Sequence, residues 1–475
     1  MIIPAKKIPY FLTRVYSCEY MIKDSAKVGE IPPTRDVYRR TLGMAVPVTT
    51  ETLLVGVMGI IDTIMVGTIS SAAIAAVGIT NQPRFIVLSV ITALNIGVTA
   101  IVARRKGEKD LQSARSSLKQ AIILSFMISL VLSTLAYVTA YPLLAFAGAG
   151  IDVIDDSVMF FRITMLSIPF ASIAMTIIAA QRGAGNTQIS MKTNITANAF
   201  KVIFNYLLIA GNLGFPRLGI KGAAIATFIG FTVGLFMAIH SVAGKSSELN
   251  IMSFSGWKFN RKTLNGIIRV GSGALGEQLF LRFGFLMFFK VVAGIGTMAL
   301  VVHQICMNIV MLSFGFAEGL GIAAGTLVGQ SLGEKRPDMG LLYGKVCQRV
   351  ALTLSAIMTF VFIFGRRGLM RMFTSEEEII ATGSYLILIL AVITIMQMSQ
   401  FCTSGALRGA GDSKYVALVA FFTVGLLRPG LAWLFAFPLG MGLIGVWFAF
   451  LADQSIRLVL YYKRFSTGKW MYIRL

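Results

Sequence analysis

Apolar runs of membrane-spanning length recur along almost the whole chain, and they limit the fold more than any other feature. A transmembrane helix needs about 20 consecutive apolar residues. The strands of a membrane β-barrel would instead alternate apolar and polar residues over about 10 positions, whereas these runs are continuous. We therefore predict an all-α membrane protein with twelve transmembrane helices, at residues 42–66, 74–101, 120–146, 158–181, 194–214, 219–243, 264–293, 298–327, 343–365, 381–406, 414–437 and 441–462.

The charge distribution predicts the orientation of these spans. The chain is 56% hydrophobic and only 13% charged, yet it carries a net charge of +22. The basic residues concentrate at both chain ends and in every second loop, as with Arg104, Arg105 and Lys106 after the second span. The exceptions are Arg217, Lys221, Arg366, Arg367 and Arg371. The positive-inside rule then places both termini in the cytoplasm. This explains the charge without a nucleic-acid partner and indicates a multi-pass protein of the plasma or inner membrane.

The residues that most enzymes and pumps need are scarce. There are two histidines, and the four cysteines lack metal-ligand spacing. We find no P-loop, zinc-protease motif or catalytic triad. We therefore expect neither an enzyme nor an ATP-driven pump, and no cofactor or bound metal. The first 40 residues lack a long apolar core and are expected to be a mobile, basic cytoplasmic tail.

The chain repeats itself at a spacing of 226 residues. QRGAGNT at 181–187 returns as LRGAGDS at 407–413, KGEKD at 106–110 as LGEKR at 332–336, and Glu51 as Glu277. Each half then holds six spans, and an even number gives two repeats of parallel topology. We predict two homologous six-helix bundles around a central cleft, an architecture typical of alternating access. The predicted domains are a tail (1–40), an N-terminal lobe (41–243), a linker (244–263), a C-terminal lobe (264–463) and a second tail (464–475).

Asp62 is the most conspicuous charge inside the spans. It lies in GIIDTIMVG at 59–67, within an otherwise apolar run. A carboxylate at the centre of a membrane helix costs roughly 2.5–3.5 kcal/mol on insertion scales. A functional role is the usual reason for retaining such a residue, and a buried hydrogen-bond acceptor that serves only the fold is the alternative.

Several motifs, taken in order, resemble the multidrug and toxic compound extrusion (MATE) transporters of the NorM and DinF type. They are IDTIMVG at 61–67, GFPRLGIKGAAIAT at 214–227, HQI at 303–305, LVGQSLGE at 327–334, RGAGD at 408–412 and RFSTGKW at 464–470. The resemblance implies a twelve-helix exporter of cationic or amphiphilic compounds, driven by inward H⁺ or Na⁺ flow. It also implies that Asp62 is the coupling carboxylate.

The fifth span departs from the family pattern, in which an Asn and, four residues later, an Asp or Asn are common. Here these positions are Lys201 and Asn205. Together with Asn194 and Asn198 they fall on one helical face. An ammonium near Asp62 would oppose sodium, so we predict H⁺ coupling in preference to Na⁺, with Lys201 pairing to Asp62 until protonation breaks the pair. The alternative is that Lys201 snorkels or pairs elsewhere.

Other polar residues in the spans are candidates for contact with substrate. Glu51 and Glu277 either face the cleft and bind a cationic substrate, or pair with basic residues such as Arg40 or Arg269. The further candidates are Glu318, Gln278 and Gln304. Possible counter-ions are Arg84, Arg282, Lys290 and Arg428. We expect Asp453 and Arg457 to pair along one helix, and Arg428-Pro429 to kink its helix.

Two other functions compete with the exporter. A flippase for lipid-linked precursors shares the wider superfamily, and basic residues such as Lys201 and Arg428 would suit a pyrophosphate lipid. A membrane-embedded enzyme would need a cluster of His, Asp or Cys at lipid depth, which the sequence lacks. The predicted partners are small organic cations or amphiphiles and the lipid bilayer, and we expect a monomer.

Overall fold

The computed structural model describes residues 16–244, 247–252, 257 and 260–473, without the side chains of Ser71 and Lys262. Parts of the predicted tails and linker, at 1–15, 245–246, 253–256, 258–259 and 474–475, lie outside these residues. The α-helices are α1 (Thr34–Gly67), α2 (Ser71–Gly107), α3 (Leu111–Val138), α4 (Ala140–Phe146), α5 (Ile154–Gly183), α6 (Thr187–Ala210), α7 (Gly219–Ala243), α8 (Arg261–Ile295), α9 (Thr297–Gly333), α10 (Pro337–Arg371), α11 (Glu377–Gly409), α12 (Ser413–Ala420), α13 (Arg428–Ala436) and α14 (Gly442–Ser466).

The described part of the chain is helical and contains no strand, so the predicted fold class is confirmed. Within that part, eleven helices are long and apolar enough to cross a membrane. The predicted fifth span, α6, is the twelfth long helix. It is more polar than the others because it carries the face that includes Asn194, Asn198, Lys201 and Asn205.

The eleventh span is interrupted where a kink was predicted. A π-helical turn, Phe421–Leu427, separates α12 from α13, and α13 begins at Arg428-Pro429. Proline has no N–H to donate and its ring crowds the preceding turn. A wider turn before it relieves that crowding, and such turns often occur at functional sites.

Packing divides the chain into two units. Unit 1 comprises Met1–Thr49, Gly107–Lys109 and Gly276–Leu475, and unit 2 comprises Thr50–Lys106 and Asp110–Leu275. Helices α1 and α8 each contribute residues to both units. The predicted lobe boundaries, 41–243 and 264–463, divided neither of these helices between the two lobes.

Small residues let the helices of unit 1 approach closely. Gly405 and Gly409 of α11 lie against the backbone of Gly321 and Gly325 of α9. This is the close packing that small residues permit between membrane helices. A second apolar core, built around Phe288, Trp447 and Phe450, lies in the same unit.

The helices of unit 2 also pack closely at small residues. Gly183 of α5 lies against the backbone oxygen of Thr99 on α2. Gly183 precedes Gly409 by 226 residues, and Thr99 precedes Gly325 by the same spacing. An apolar core of unit 2 includes Phe161 and Ile168 on the same helix as Gly183.

The backbone itself recurs at the repeat spacing. Positive φ angles of 58° and 57° occur at Lys109 and Lys335, and of 92° and 93° at Gly185 and Gly411. Gly214 and Gly440 form a third such pair. The two halves therefore make the same turns at equivalent positions.

The segment before α1 is packed rather than mobile, so the expectation of a mobile tail is wrong for residues 18–37. Cys18, Met21 and Ile22 are buried in the core of unit 1. The Lys345 ammonium donates to the backbone oxygen of Met21 at 2.7 Å, and the backbone N–H of Val28 donates to Asp338 at 3.2 Å. Burial raises the pKa of the Cys18 thiol above its ordinary value.

Candidate functional site

Asp62, Lys201 and Asn205 form a charged cluster in unit 2. Asp62 lies on α1, and Lys201 and Asn205 lie one turn apart on α6. The Lys201 ammonium is 2.6 Å from Oδ2 of Asp62, and the amide of Asn205 donates to Oδ1. The predicted Lys201–Asp62 pair is therefore confirmed. Asn205 is fully buried, whereas the two charged side chains retain 24% and 20% exposure, so the pair is reachable.

A second cation acts on the same carboxylate. The Arg84 guanidinium on α2 donates to Asn81 at 3.1 Å and lies 5.9 Å from the ring of Phe85. It also interacts electrostatically with Asp62. Asp62 therefore lies in the field of two positive groups, which offset its negative charge.

Glu51 lies on the same face of α1 as Asp62, because both contact α6. Glu51 accepts hydrogen bonds from Ser190 at 2.6 Å and from Asn194. Asn198, predicted to join the coupling site, donates instead to the backbone oxygen of Asn194 at 2.9 Å. The polar face of α6 is thus divided between Glu51 and Asp62.

The glutamates of the two halves form equivalent ion pairs. Arg182, at the end of α5, is 2.5 Å from Glu51, and Arg408, at the end of α11, is 2.9 Å from Glu277. The alternative that each glutamate pairs with a basic residue is therefore confirmed, but the partners are Arg182 and Arg408 and not the suggested examples, Arg40 and Arg269. Arg40 donates instead to Gln330 at 2.8 Å. The signal that could have identified the true partners is the 226-residue spacing, which the two arginines share with the two glutamates.

These two ion pairs differ in their surroundings. Ser190 and Asn194, which complete the hydrogen bonding of Glu51, correspond at the repeat spacing to Val416 and Ala420. Glu277 therefore has an arginine partner but neither of these donors. Its carboxylate depends on Arg408, which contacts both of its oxygens at 2.9 and 3.2 Å.

The Asp62 cluster has no repeat counterpart in the second half. Asp62, Lys201 and Asn205 correspond to Phe288, Leu427 and Leu431. The second half instead buries Arg428, which pairs with Asp453 of α14 rather than acting as a counter-ion elsewhere. The predicted Asp453–Arg457 pair is confirmed at 2.9 Å.

The remaining candidates for substrate contact lie in unit 1. Gln278 is half-buried beside Glu277, and Glu318 and Gln304 on α9 are exposed. Among the residues described, no group of three His, Cys, Asp or Glu side chains could hold a metal ion, and the four cysteines are buried and free.

Chemically, the Asp62 cluster can exchange one cation for another. An ionised Asp62 holds Lys201 by a charge-assisted hydrogen bond. Protonation of Asp62 removes its charge, releases Lys201 and leaves the ammonium and Arg84 without a negative partner in this cluster. A proton can therefore alter the contact between α1 and α6, which is what a coupling site must do.

The chain is similar to several known transporters. The chain is 28% identical over 430 residues to the uncharacterized transporter YisQ of Bacillus subtilis (strain 168), covering 90% of this chain and 93% of that protein. It is 26% identical over 456 residues to the probable multidrug resistance protein NorM of Thermotoga maritima, covering 95% and 96%. A mutant of the Vibrio cholerae MATE transporter VcmN has the same fold, with a TM-score of 0.85 at 18% identity over 92% of this chain and 99% of that one. The MatE family model matches residues 47–207 and 274–434, one segment in each half. The chain therefore belongs to the MatE family of membrane transporters.

Proposed function

We propose that this protein is a secondary active multidrug exporter that carries cationic or amphiphilic organic compounds out of the cell in exchange for H⁺, by alternating access. The observation that carries the proposal is the Lys201–Asp62 ion pair at 2.6 Å. It provides a carboxylate, partly exposed and inside a membrane helix, whose partner is released by protonation. Several relatives are described as multidrug resistance proteins, which supports the substrate class.

The same pair favours H⁺ over Na⁺ as the coupling ion. Sodium binds to carboxylate, amide and carbonyl oxygens, often where transporter helices are broken. Here the ammonium of Lys201 occupies one oxygen of Asp62 and the amide nitrogen of Asn205 faces the other. A proton needs only one carboxylate oxygen, whereas Na⁺ would have to displace a tethered cation.

For substrate binding we propose Glu277, with Gln278, Glu318 and Gln304 as further contacts. Glu277 is favoured over Glu51 because, among the described residues, its carboxylate lacks the serine and asparagine donors that also hold Glu51, so a cationic substrate has fewer contacts to displace than at Glu51. Glu51 is held by Arg182, Ser190 and Asn194, and we assign it a structural role.

We further propose that the protein works as a monomer in the plasma or inner membrane, with both termini in the cytoplasm. The alternation of basic loops supports this orientation. The flippase was suggested by four basic residues, Lys201, Arg282, Lys290 and Arg428. It is disfavoured because two of them, Lys201 and Arg428, are paired with Asp62 and Asp453.

The test is ethidium accumulation in cells that express the protein at matched levels. Wild type should lower accumulation relative to cells without the protein, and Asp62→Asn should restore it. Asp152→Asn, which changes an exposed acid in a loop, is the matched control and should export normally. If expression of the wild type leaves the accumulation of ethidium, norfloxacin and similar compounds unchanged, the proposed function is wrong.

A further inference from the structure

Three charged side chains are buried together in unit 1. Arg428, at the start of α13, and Asp453, on α14, are both 0% exposed, and Arg457, one turn after Asp453, is almost as buried. We refer to them as the Arg428–Asp453–Arg457 cluster. Their counterparts at the repeat spacing are Val202, Thr227 and Phe231, so the second half carries a charged cluster that the first half does not.

Three hydrogen bonds from the two arginines of this cluster end on one atom. Oδ2 of Asp453 accepts from Nε of Arg428 at 3.0 Å, from Nη2 of Arg428, and from Nη2 of Arg457 at 2.9 Å. Two donors, Nη1 of Arg428 and Nε of Arg457, are buried without a hydrogen-bond partner. Oε1 of the neighbouring Gln454 is also buried without a partner, and the side chain of Thr423 acts on Asp453. Buried donors normally have partners, so two unpaired guanidinium donors around one carboxylate indicate a bound acceptor.

The charges in the cluster do not balance. Two guanidinium groups meet one carboxylate, which leaves an excess of one positive charge. The ring centroids of Phe450, Phe285 and Phe288 lie 4.5, 5.0 and 5.7 Å from the centre of the Arg428 guanidinium. Aromatic faces stabilise a cation, but they neither neutralise its charge nor accept hydrogen bonds as an anion does. An unbalanced buried charge is strongly unfavourable.

We propose that the Arg428–Asp453–Arg457 cluster binds a small monovalent anion, chloride under physiological conditions, which accepts hydrogen bonds from Nη1 of Arg428 and Nε of Arg457. Water alone would satisfy these donors but would leave the excess charge. Complete burial excludes a large anion. The bound anion would join α13 to α14 directly after the π-helical turn and stabilise that junction. The inference is independent of the proposed transport function.

The test uses purified full-length protein in detergent, unfolded by heat in sodium chloride, sodium bromide or sodium gluconate at equal concentration. Sodium is constant, so only the anion differs. We expect the Tm to rise by a few degrees, in a saturable way, in chloride and bromide but not in gluconate, because a ligand that binds only the folded state stabilises it. Equal Tm values in all three salts would refute the proposal.

Two variants and one crystal experiment test whether the halide acts at this cluster. Arg457→Gln leaves a balanced Arg428–Asp453 pair and should abolish the halide response. Arg464→Gln on the same helix breaks an ion pair with Asp412 outside the cluster and should retain it. A full halide response in Arg457→Gln would overturn the assignment. If that variant does not fold, wild-type crystals grown in bromide decide: an anomalous peak in contact with Arg428 supports the site, and no peak there refutes it.

Discussion

Asp62 on α1 contacts Lys201 on α6, and the proposed coupling depends on this one ion pair. In the proposed mechanism, Lys201 is a tethered cation that neutralises Asp62 whenever a proton does not. The pair could be predicted from sequence because both residues are unusual in otherwise apolar spans and a buried charge requires a partner. Arg84 could be predicted only as a possible counter-ion, because the acid on which it acts depends on the packing of α2.

Replacing Lys201 should change the ion that the site accepts. In Lys201→Asn an amide oxygen takes the place of the ammonium, so Asp62 and two amides face one another and Na⁺ is no longer repelled. We expect ethidium export by this variant to respond to an imposed Na⁺ gradient at fixed pH, whereas wild-type export does not. Lys192→Asn, at an exposed position of the same helix, should behave like wild type. A sodium response in wild type would show that Lys201 does not exclude Na⁺.

The two glutamate–arginine pairs should differ in their contribution to stability. Breaking a buried ion pair typically costs about 3–5 kcal/mol, because a charge remains without a partner. Glu51→Gln also disturbs the hydrogen bonds from Ser190 and Asn194, so we expect it to lower the Tm more than Glu277→Gln does. The double variant Glu51→Gln/Arg182→Gln should recover part of the loss, which a thermal double-mutant cycle measures. An equal or larger loss in Glu277→Gln would contradict the proposed difference between the pairs.

At the scale of the elements, the helices follow from their apolar runs, but irregular features depend on packing. The π-helical turn at Phe421–Leu427 lies beside a predicted kink, yet its length depends on how α13 places Arg428 against Asp453. The docking of the segment before α1 was missed because three buried apolar side chains, Cys18, Met21 and Ile22, in a short segment of mixed charge give no periodic signal. Periodicity detects helices with one apolar face and misses isolated anchors.

The α9–α11 contact should be sensitive to a single added methyl group. Gly409→Ala would place a Cβ against the backbone of Gly325, so the helices must separate; overpacking of this kind costs about 1–3 kcal/mol. Gly368→Ala is the matched control, because nothing lies within 4 Å of its Cβ position and alanine favours helix. We expect a lower Tm only for Gly409→Ala. Equal Tm values for the two variants would mean that the close approach does not limit stability.

At the scale of the whole molecule, the repeat was the most informative feature of the sequence. It predicted the architecture, and the structure extends it to paired backbone conformations such as those of Gly185 and Gly411. The repeat alone does not show how function is divided between the halves. That division depends on positions where the halves differ, such as Asp62 against Phe288, and on the contacts those residues make.

The predicted orientation can be tested with reporter fusions. Green fluorescent protein fused at either terminus, or within the basic loop at 108–110, should fluoresce because these sites are expected in the cytoplasm. Alkaline phosphatase fused within the loop at 148–152 should be active because that site is expected outside. The opposite pattern at any of these sites would contradict the topology inferred from the charges.

The central claim is that protonation of Asp62, which releases Lys201, drives the export of substrate. The most direct measurement uses purified protein in liposomes loaded with a pH-sensitive dye, with ethidium added under an imposed pH gradient at constant Na⁺. We predict that wild type couples ethidium movement to proton movement and that Asp62→Asn abolishes the proton signal while remaining folded. Ethidium movement that is accompanied by an equal proton signal in Asp62→Asn, or that requires Na⁺ in wild type, would contradict the account.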